Sequence, residues 1–217
     1  MKPWAITLII IGSIILVFLF YIVILAPLLS RLFPSRSPSW IPEVIDNPFR
    51  RNVFQKPKTI IKRMAVTPGM TCMDIGAGKG FYTKELAKQA APGTVHAIDI
   101  SKKVVDRLNQ RVEKWAITNI QTHVQDAQVL NFPDNSMDRI LSITCLPEIP
   151  EPIKALKEWK RVLKPGGIIS LSEVYGDPDY PRRKTEKKWA KEAGLELVEE
   201  FGNFFVYQLN FRKTQKK

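Results

Sequence analysis

The longest hydrophobic pattern lies at the start of the chain. Residues 5–29 are almost wholly apolar, and no charge appears between residues 3 and 30. At a rise of about 1.5 Å per residue such a run makes a helix of roughly 37 Å, longer than the ~30 Å hydrocarbon core of a bilayer. The apolarity goes all the way round the helix, which argues against an amphipathic helix lying on a surface. A signal peptide has an apolar region of only about 7–15 residues and a small-residue cleavage site, and no such site follows here. The pattern therefore predicts one transmembrane helix, an N-terminal anchor over residues 1–33.

After it, Pro34, Pro38 and Pro42 with their serines forbid a continuous helix and stiffen a juxtamembrane linker, residues 34–56. The pattern then changes to alternating short apolar runs and amphipathic stretches. Strands are expected at 70–75, 94–100, 120–124, 137–143 and 168–174. Helices are expected at 57–64, 81–90, 102–115 and 153–163, the last stopped by Lys164-Pro165-Gly166-Gly167. Val104, Val105, Leu108 and Val112 fall on one face of the 102–115 helix. Alternation at this spacing means right-handed βαβ units and a parallel sheet. The tail differs: a helix at 185–193 closed by Gly194, then strands at 195–200 and 204–212 joined at Gly202-Asn203, an antiparallel hairpin.

Charge adds an orientation and a partner class. Lys2 alone precedes the apolar run, whereas Arg31, Arg36, Arg50, Arg51, Lys56 and Lys58 follow it. The heavier positive flank faces the cytoplasm, so a single-pass membrane protein with the rest of the chain on the cytoplasmic side is expected. The net charge of +12 favours an anionic partner, nucleic acid or an anionic membrane surface. Cys72 and Cys145, distant and each in an apolar run, have no metal-type spacing and make no disulfide framework. They read as reduced thiols, and no metal is expected.

The chemistry concentrates at Met73-Asp74-Ile75-Gly76-Ala77-Gly78-Lys79-Gly80, which leaves an apolar strand and opens a helix. A P-loop requires Ser or Thr after the lysine, where Gly80 stands, and its glycine spacing fails. A dinucleotide fingerprint requires its third small residue at position 81, which is Phe81. The third glycine comes one residue early, and Asp74 stands two residues before the first. Asp99 ends the next strand, and Asp126 follows the one after it.

This D-x-G-x-G-x-G arrangement resembles the first motif of the class I S-adenosylmethionine-dependent methyltransferases. Asp99, Val124-Gln125-Asp126-Ala127 and the turn Arg161 to Gly167 match further positions of that family. The resemblance covers about residues 57–212 and is nearest to its quinone-biosynthesis and lipid-modifying members. It implies an α/β, Rossmann-like, doubly wound sheet of seven strands with the last strand antiparallel, preceded here by the transmembrane helix, and a methyltransferase domain over residues 57–217. S-adenosylmethionine is the implied cofactor. Asp74, Gly76, Ala77, Gly78 and Gly80 would meet its amino-acid end, Asp99 the ribose hydroxyls, and Ile100 the adenine face. Asp126 and Ala127 would meet the exocyclic amine, with Thr144 and Cys145 near the sulfonium.

Transfer from a sulfonium needs alignment more than a strong base, and a base matters only where the acceptor must lose a proton. His96 and His123 lie inside strands and read as packed. Glu173 and Tyr175 end the fifth strand, on the rim where open α/β sheets bind ligands, and are the candidate catalytic residues; Glu173 is equally suited to bridging a neighbouring loop. Arg182 and Arg183, in the loop that follows, suit a phosphate headgroup or solvent. Phe204, Phe205, Tyr207 and Phe211 read as core by strand alternation. The expected acceptor is a small molecule or lipid, reached through the membrane anchor, either a headgroup amine or a prenylated ring. Nucleic acid is not the expected partner, because no Asn-Pro-Pro-Tyr-type or Pro-Cys motif is present and a membrane span makes bulk RNA awkward. A nucleic-acid methyltransferase and a non-catalytic cofactor-binding scaffold are the alternatives. The oligomeric state is not readable from these patterns.

Overall fold

The computed structural model describes residues 2–21, 55–175 and 180–213. Helix α1 (Pro3–Phe20) stands at the N-terminus. The remaining elements run α2 (Pro57–Arg63), β1 (Cys72–Ile75), α3 (Phe81–Ala90), β2 (Val95–Asp99), α4 (Lys102–Trp115), β3 (Ile120–Val124), β4 (Met137–Ile143), α5 (Pro152–Val162), β5 (Leu163–Val174), α6 (Arg183–Glu192), β6 (Leu195–Gly202) and β7 (Val206–Lys213). The strands form one seven-stranded sheet in the order β3-β2-β1-β4-β5-β7-β6. The first five are parallel to their neighbours, and β7 runs antiparallel to both β5 and β6. This is the expected Rossmann-like architecture, with the chain reversal at β1 and β4 that opens a crevice at the strands' C-terminal ends.

Period-two alternation sorts the side chains between two faces. Cys72, Val95 and Leu141 pack with Ile60, Ile61 and Met64 of α2 and Tyr82, Leu86 and Ala90 of α3, and Ala97 packs with Leu108 of α4. On the other face Met73, Ile75, Ile140, Ile169 and Leu171 pack with Leu156 and Trp159 of α5 and Ala190 of α6. Ala155, Leu156, Trp159 and Val162 are the buried positions of α5, a spacing that only a helix puts on one side. The α2 face of β5 and β7 is polar instead. Gln208 donates to the Ser170 Oγ and to the Ile60 carbonyl, and Asn210 donates to the Arg63 carbonyl, so side-chain amides fasten α2 to the sheet.

Three expectations change. First, the transmembrane helix is not supplied: among the described residues no helix is long and apolar enough to cross a membrane. The 18 residues of α1 reach roughly 27 Å at 1.5 Å per residue, short of a ~30 Å core. Residues 22–29, which the apolar pattern adds, lie outside the described residues, as do most of the linker, 34–54, and the orienting Arg31, Arg36, Arg50 and Arg51. Second, β5 begins at Leu163, directly after α5, with a register shift between Met137 and Arg139 that accommodates Lys164 to Gly167. A Cβ on Gly167 would overlap the Leu163 side chain and press on the Asp138 carbonyl. Third, β7 begins only at Val206. Tyr207 and Phe211 are core, as alternation predicts, whereas Phe204 and Phe205 fall in the turn and are 62% and 56% exposed.

Candidate active site

Parallel pairing aligns the C-terminal ends of β1, β2, β3 and β4, so the segments that follow them meet along one edge. Gly76 and Ala77 donate their N–H groups to the Ile98 carbonyl at 2.9 Å each, which ties the loop after β1 to the end of β2. Gly76 has φ 69°, and a Cβ there would overlap the Cys145 Sγ. Only glycine lets these two loops approach so closely. A Cβ on Gly78 would meet nothing nearer than 3.8 Å; the loop's backbone is bare toward the crevice at that point. Gly80 then leads into the first turn of α3.

Asp99 is pinned from both sides. Its Oδ2 accepts the Gly78 N–H at 3.3 Å and its Oδ1 accepts the Ser101 N–H at 2.9 Å. Burial raises its pKa, and those two N–H groups hold it down. Each oxygen keeps a further lone pair. Next to it Ile100 is 65% exposed, an apolar side chain with no cover at the crevice edge. Asp126 closes its own turn by accepting the Gln128 N–H at 2.8 Å. The Ala127 carbonyl accepts the Trp159 indole N–H at 2.9 Å, so this loop hangs on the core of α5. Thr144 takes φ 47°, a left-handed conformation unusual for a β-branched residue, while its N–H donates to the Ser172 carbonyl. Backbone strain of this kind collects at functional positions.

Asp74 is 2% exposed. Its Oδ2 accepts the Thr83 hydroxyl at 2.5 Å, which couples the strand end to α3. Burial pushes its pKa up to about 7, against the Thr83 hydrogen bond; the nearby Asp99 charge pushes it further. The Cys145 thiol is pushed well up by burial and by neighbouring carboxylates, so it stays protonated and is no nucleophile.

The two candidate catalytic residues part company. Glu173 is 1% exposed. It pairs across the sheet with Tyr207 of β7 and lies beside Glu186 of α6, itself fully buried. Its geometry is that of an interior bridge between β5 and α6. Tyr175 lies at the rim, its N–H donating to the Phe205 carbonyl at 2.6 Å and its ring packed among Tyr180, Phe204 and Phe205. His96 and His123 bond to each other at 3.1 Å and pack on Phe132. Burial lowers both, His96 to about 4 with help from the His123 charge, which keeps them neutral and packed.

Two residues belong to this region without having been singled out in the sequence. Thr83 comes three positions after Gly80, in the first turn of the helix that the loop opens, and that spacing was a usable signal. Glu186 stands among Lys184, Lys187 and Lys188, where a carboxylate reads as a surface ion-pair partner, and no sequence signal marks its burial.

A family model described as a methyltransferase domain matches residues 73–171. Demethylmenaquinone methyltransferase of Geobacillus stearothermophilus is 34% identical over 127 residues, which cover 58% of this chain and 54% of that relative. The chain thus spans about half the length of the curated relatives it matches. Among solved structures, a SAM-dependent methyltransferase from Aquifex aeolicus superimposes with a TM-score of 0.73 at 24% identity, over 79% of this chain and 96% of that one. A Haemonchus contortus phosphoethanolamine-type N-methyltransferase, solved with phosphomonomethylethanolamine and S-adenosylhomocysteine, gives a TM-score of 0.60 at 24% identity over 67% of this chain and 38% of that one. These two likenesses are of fold.

Proposed function

We propose that a chain built around this methyltransferase domain is an S-adenosylmethionine-dependent methyltransferase acting on a small, membrane-resident acceptor. The observation that carries the cofactor is Asp99, a carboxylate fixed by Gly78 and Ser101 with one lone pair on each oxygen left over for a vicinal diol. The bare backbone at Gly78 and the uncovered Ile100 fit the same ligand. Asp99 would hold the ribose, Ile100 the adenine face, and Asp126 and Ala127 the adenine's amine. Asp74, Gly76, Ala77, Gly78 and Gly80 would hold the amino-acid end, with Thr144 beside the reacting centre. Bound there, S-adenosylmethionine supplies a methyl group already activated by a sulfonium. The chain's own part is alignment and exclusion of water. Tyr175 at the rim would line the path of the acceptor, and Glu173 acts from beneath by holding β5 against α6.

The company the domain keeps supports a small acceptor. The Geobacillus relative is named for demethylmenaquinone, and the Haemonchus one is named for a phosphoethanolamine. The N-terminal segment supports a membrane location. Side chains of α1 including Trp4, Ile9, Ile14, Leu16, Val17 and Phe20 are each more than half exposed; in water that surface is unfavourable at about 25 cal/mol per Å². We therefore read residues 1–33 as the membrane attachment, 34–56 as the linker and 57–217 as the catalytic domain on the cytoplasmic side. A tether of this kind concentrates membrane substrates at the site without a new contact.

The cofactor reading is tested by calorimetric titration of the full chain with S-adenosylmethionine and S-adenosylhomocysteine. Both should bind, and Asp99→Ala should weaken both by about tenfold or more, the cost of losing hydrogen bonds to a charged group. Equal affinity in the variant would remove Asp99 from the site.

A further inference from the structure

Four aromatic rings gather where β5 ends. The Tyr175 ring centroid lies 5.2 Å from that of Phe204, 5.6 Å from Tyr180 and 5.9 Å from Phe205, and the two phenylalanines are 5.5 Å apart. The outer pair, Phe204 and Phe205, is more than half exposed. The turn that carries them is firmly built. Gly202 has φ 90°, and a Cβ there would overlap the Val206 carbonyl. The Asn203 N–H donates to that carbonyl at 2.8 Å. The Asn203 Oδ1 accepts the N–H groups of Phe205 at 2.9 Å and Val206 at 3.2 Å. The Tyr180 hydroxyl donates to the Phe204 carbonyl and Arg183 to the Asn203 carbonyl. Two phenylalanines are thus held out into solvent by hydrogen bonds on every side of the turn.

Cations flank the turn on both faces of the sheet. On the α6 side stand Arg183 and Lys187, sharing the one carboxylate of Glu200. On the α2 side Lys56 and Arg63 line, with Gly202 and Val206, a cavity of about 230 Å³. Aromatic side chains with cations around them match the headgroup layer of a bilayer, where rings sit between chains and water and anionic lipids attract basic residues. A second copy of this chain is a poor occupant: a two-fold contact through the turn would bring these basic flanks against each other.

We propose that the aromatic β6–β7 turn seats on an anionic lipid surface and turns the C-terminal rim of the sheet, with Tyr175 and the crevice, toward the headgroups. This rests on the reading of the chain as membrane-held and adds the orientation: α1 attaches the protein, and the turn aims its site. A membrane-resident acceptor then enters the crevice from the lipid side without crossing water.

The test uses the full chain reconstituted in phosphatidylcholine vesicles with and without phosphatidylglycerol. p-Benzoylphenylalanine replaces, one at a time, Phe204, Phe205, Ile10 of α1, and Thr118, exposed before β3 at the opposite edge of the sheet. After irradiation, lipid adducts are read by mass. Adducts at 204 and 205 should exceed those at 118 several-fold and should rise with phosphatidylglycerol. Adducts at position 10 with none at 204 or 205 overturn the seating and leave the membrane reading standing. No adduct at position 10 overturns the membrane reading and the seating together. Equal yields at 204, 205 and 118 overturn the orientation.

Discussion

Asp74 shows how one buried group can make cofactor binding depend on pH. Its pKa, pushed up to about 7 by burial, leaves it partly protonated at neutral pH. If a ligand's ammonium group is received there, binding favours the carboxylate and expels the proton. Affinity for S-adenosylmethionine should therefore fall as pH drops from 7.5 to 5.5, by up to about tenfold per unit below the pKa. Titration calorimetry in buffers of different ionisation enthalpy would show the released proton. Asp74→Asn should abolish both the release and the slope; a slope that survives in Asp74→Asn assigns it to another group. The positions of Gly76, between two loops, and of Asp99, at the end of β2, were readable in the sequence, because close backbone approach calls for glycine and the period of the strand marks its end. Glu186 was not, since burial of a carboxylate inside a lysine-rich helix is decided by tertiary packing. Phe204 and Phe205 were misplaced for a related reason: alternation cannot tell the last residues of a strand from the first of a turn.

At the scale of elements, Glu186 of α6 lies buried near Glu173 of β5 and Tyr207 of β7, and the Tyr207 hydroxyl donates to the Pro181 carbonyl at 3.0 Å. Burial pushes Glu186 up to about 8 from an ordinary 4.5, as it pushes Asp74 up from 3.8. Between its ordinary and its folded value each group binds more proton in the folded chain than in the unfolded one. Stability is therefore highest toward pH 4.5 and falls as pH rises to about 8, by at most about 1.4 kcal/mol per pH unit for each group. Urea unfolding followed at pH 5, 6, 7 and 8 reads this directly. Glu186→Gln should flatten the upper part of the profile, between 7 and 8, where Asp74 no longer contributes. A stability that rises through this range would contradict the assignment. The strand and helix order was predictable here because each element has one clear period, 2 or 3.6. The start of β5 was not, because Lys164-Pro165-Gly166-Gly167 looks like a plain turn and is instead taken up by a register shift against β4.

For the whole molecule, the proposed membrane location draws on a net charge of +12, an exposed apolar α1 and an aromatic turn flanked by cations. The protein should sediment with membranes, resist alkaline carbonate and leave only with detergent; release by carbonate or salt alone would reduce α1 to a peripheral contact. The apolar run read from the sequence extends beyond the described helix, which is why length alone suggested a span that the 18 residues of α1 do not provide. The central claim is transfer of a methyl group to a membrane-resident small molecule. Its most direct test is incubation of the full chain in membranes with methyl-labelled S-adenosylmethionine, followed by lipid extraction and mass analysis. The label should enter the organic phase on one or a few small species and be lost with Asp99→Ala. Label in RNA but not in lipid, or no acceptor in any fraction, would contradict it.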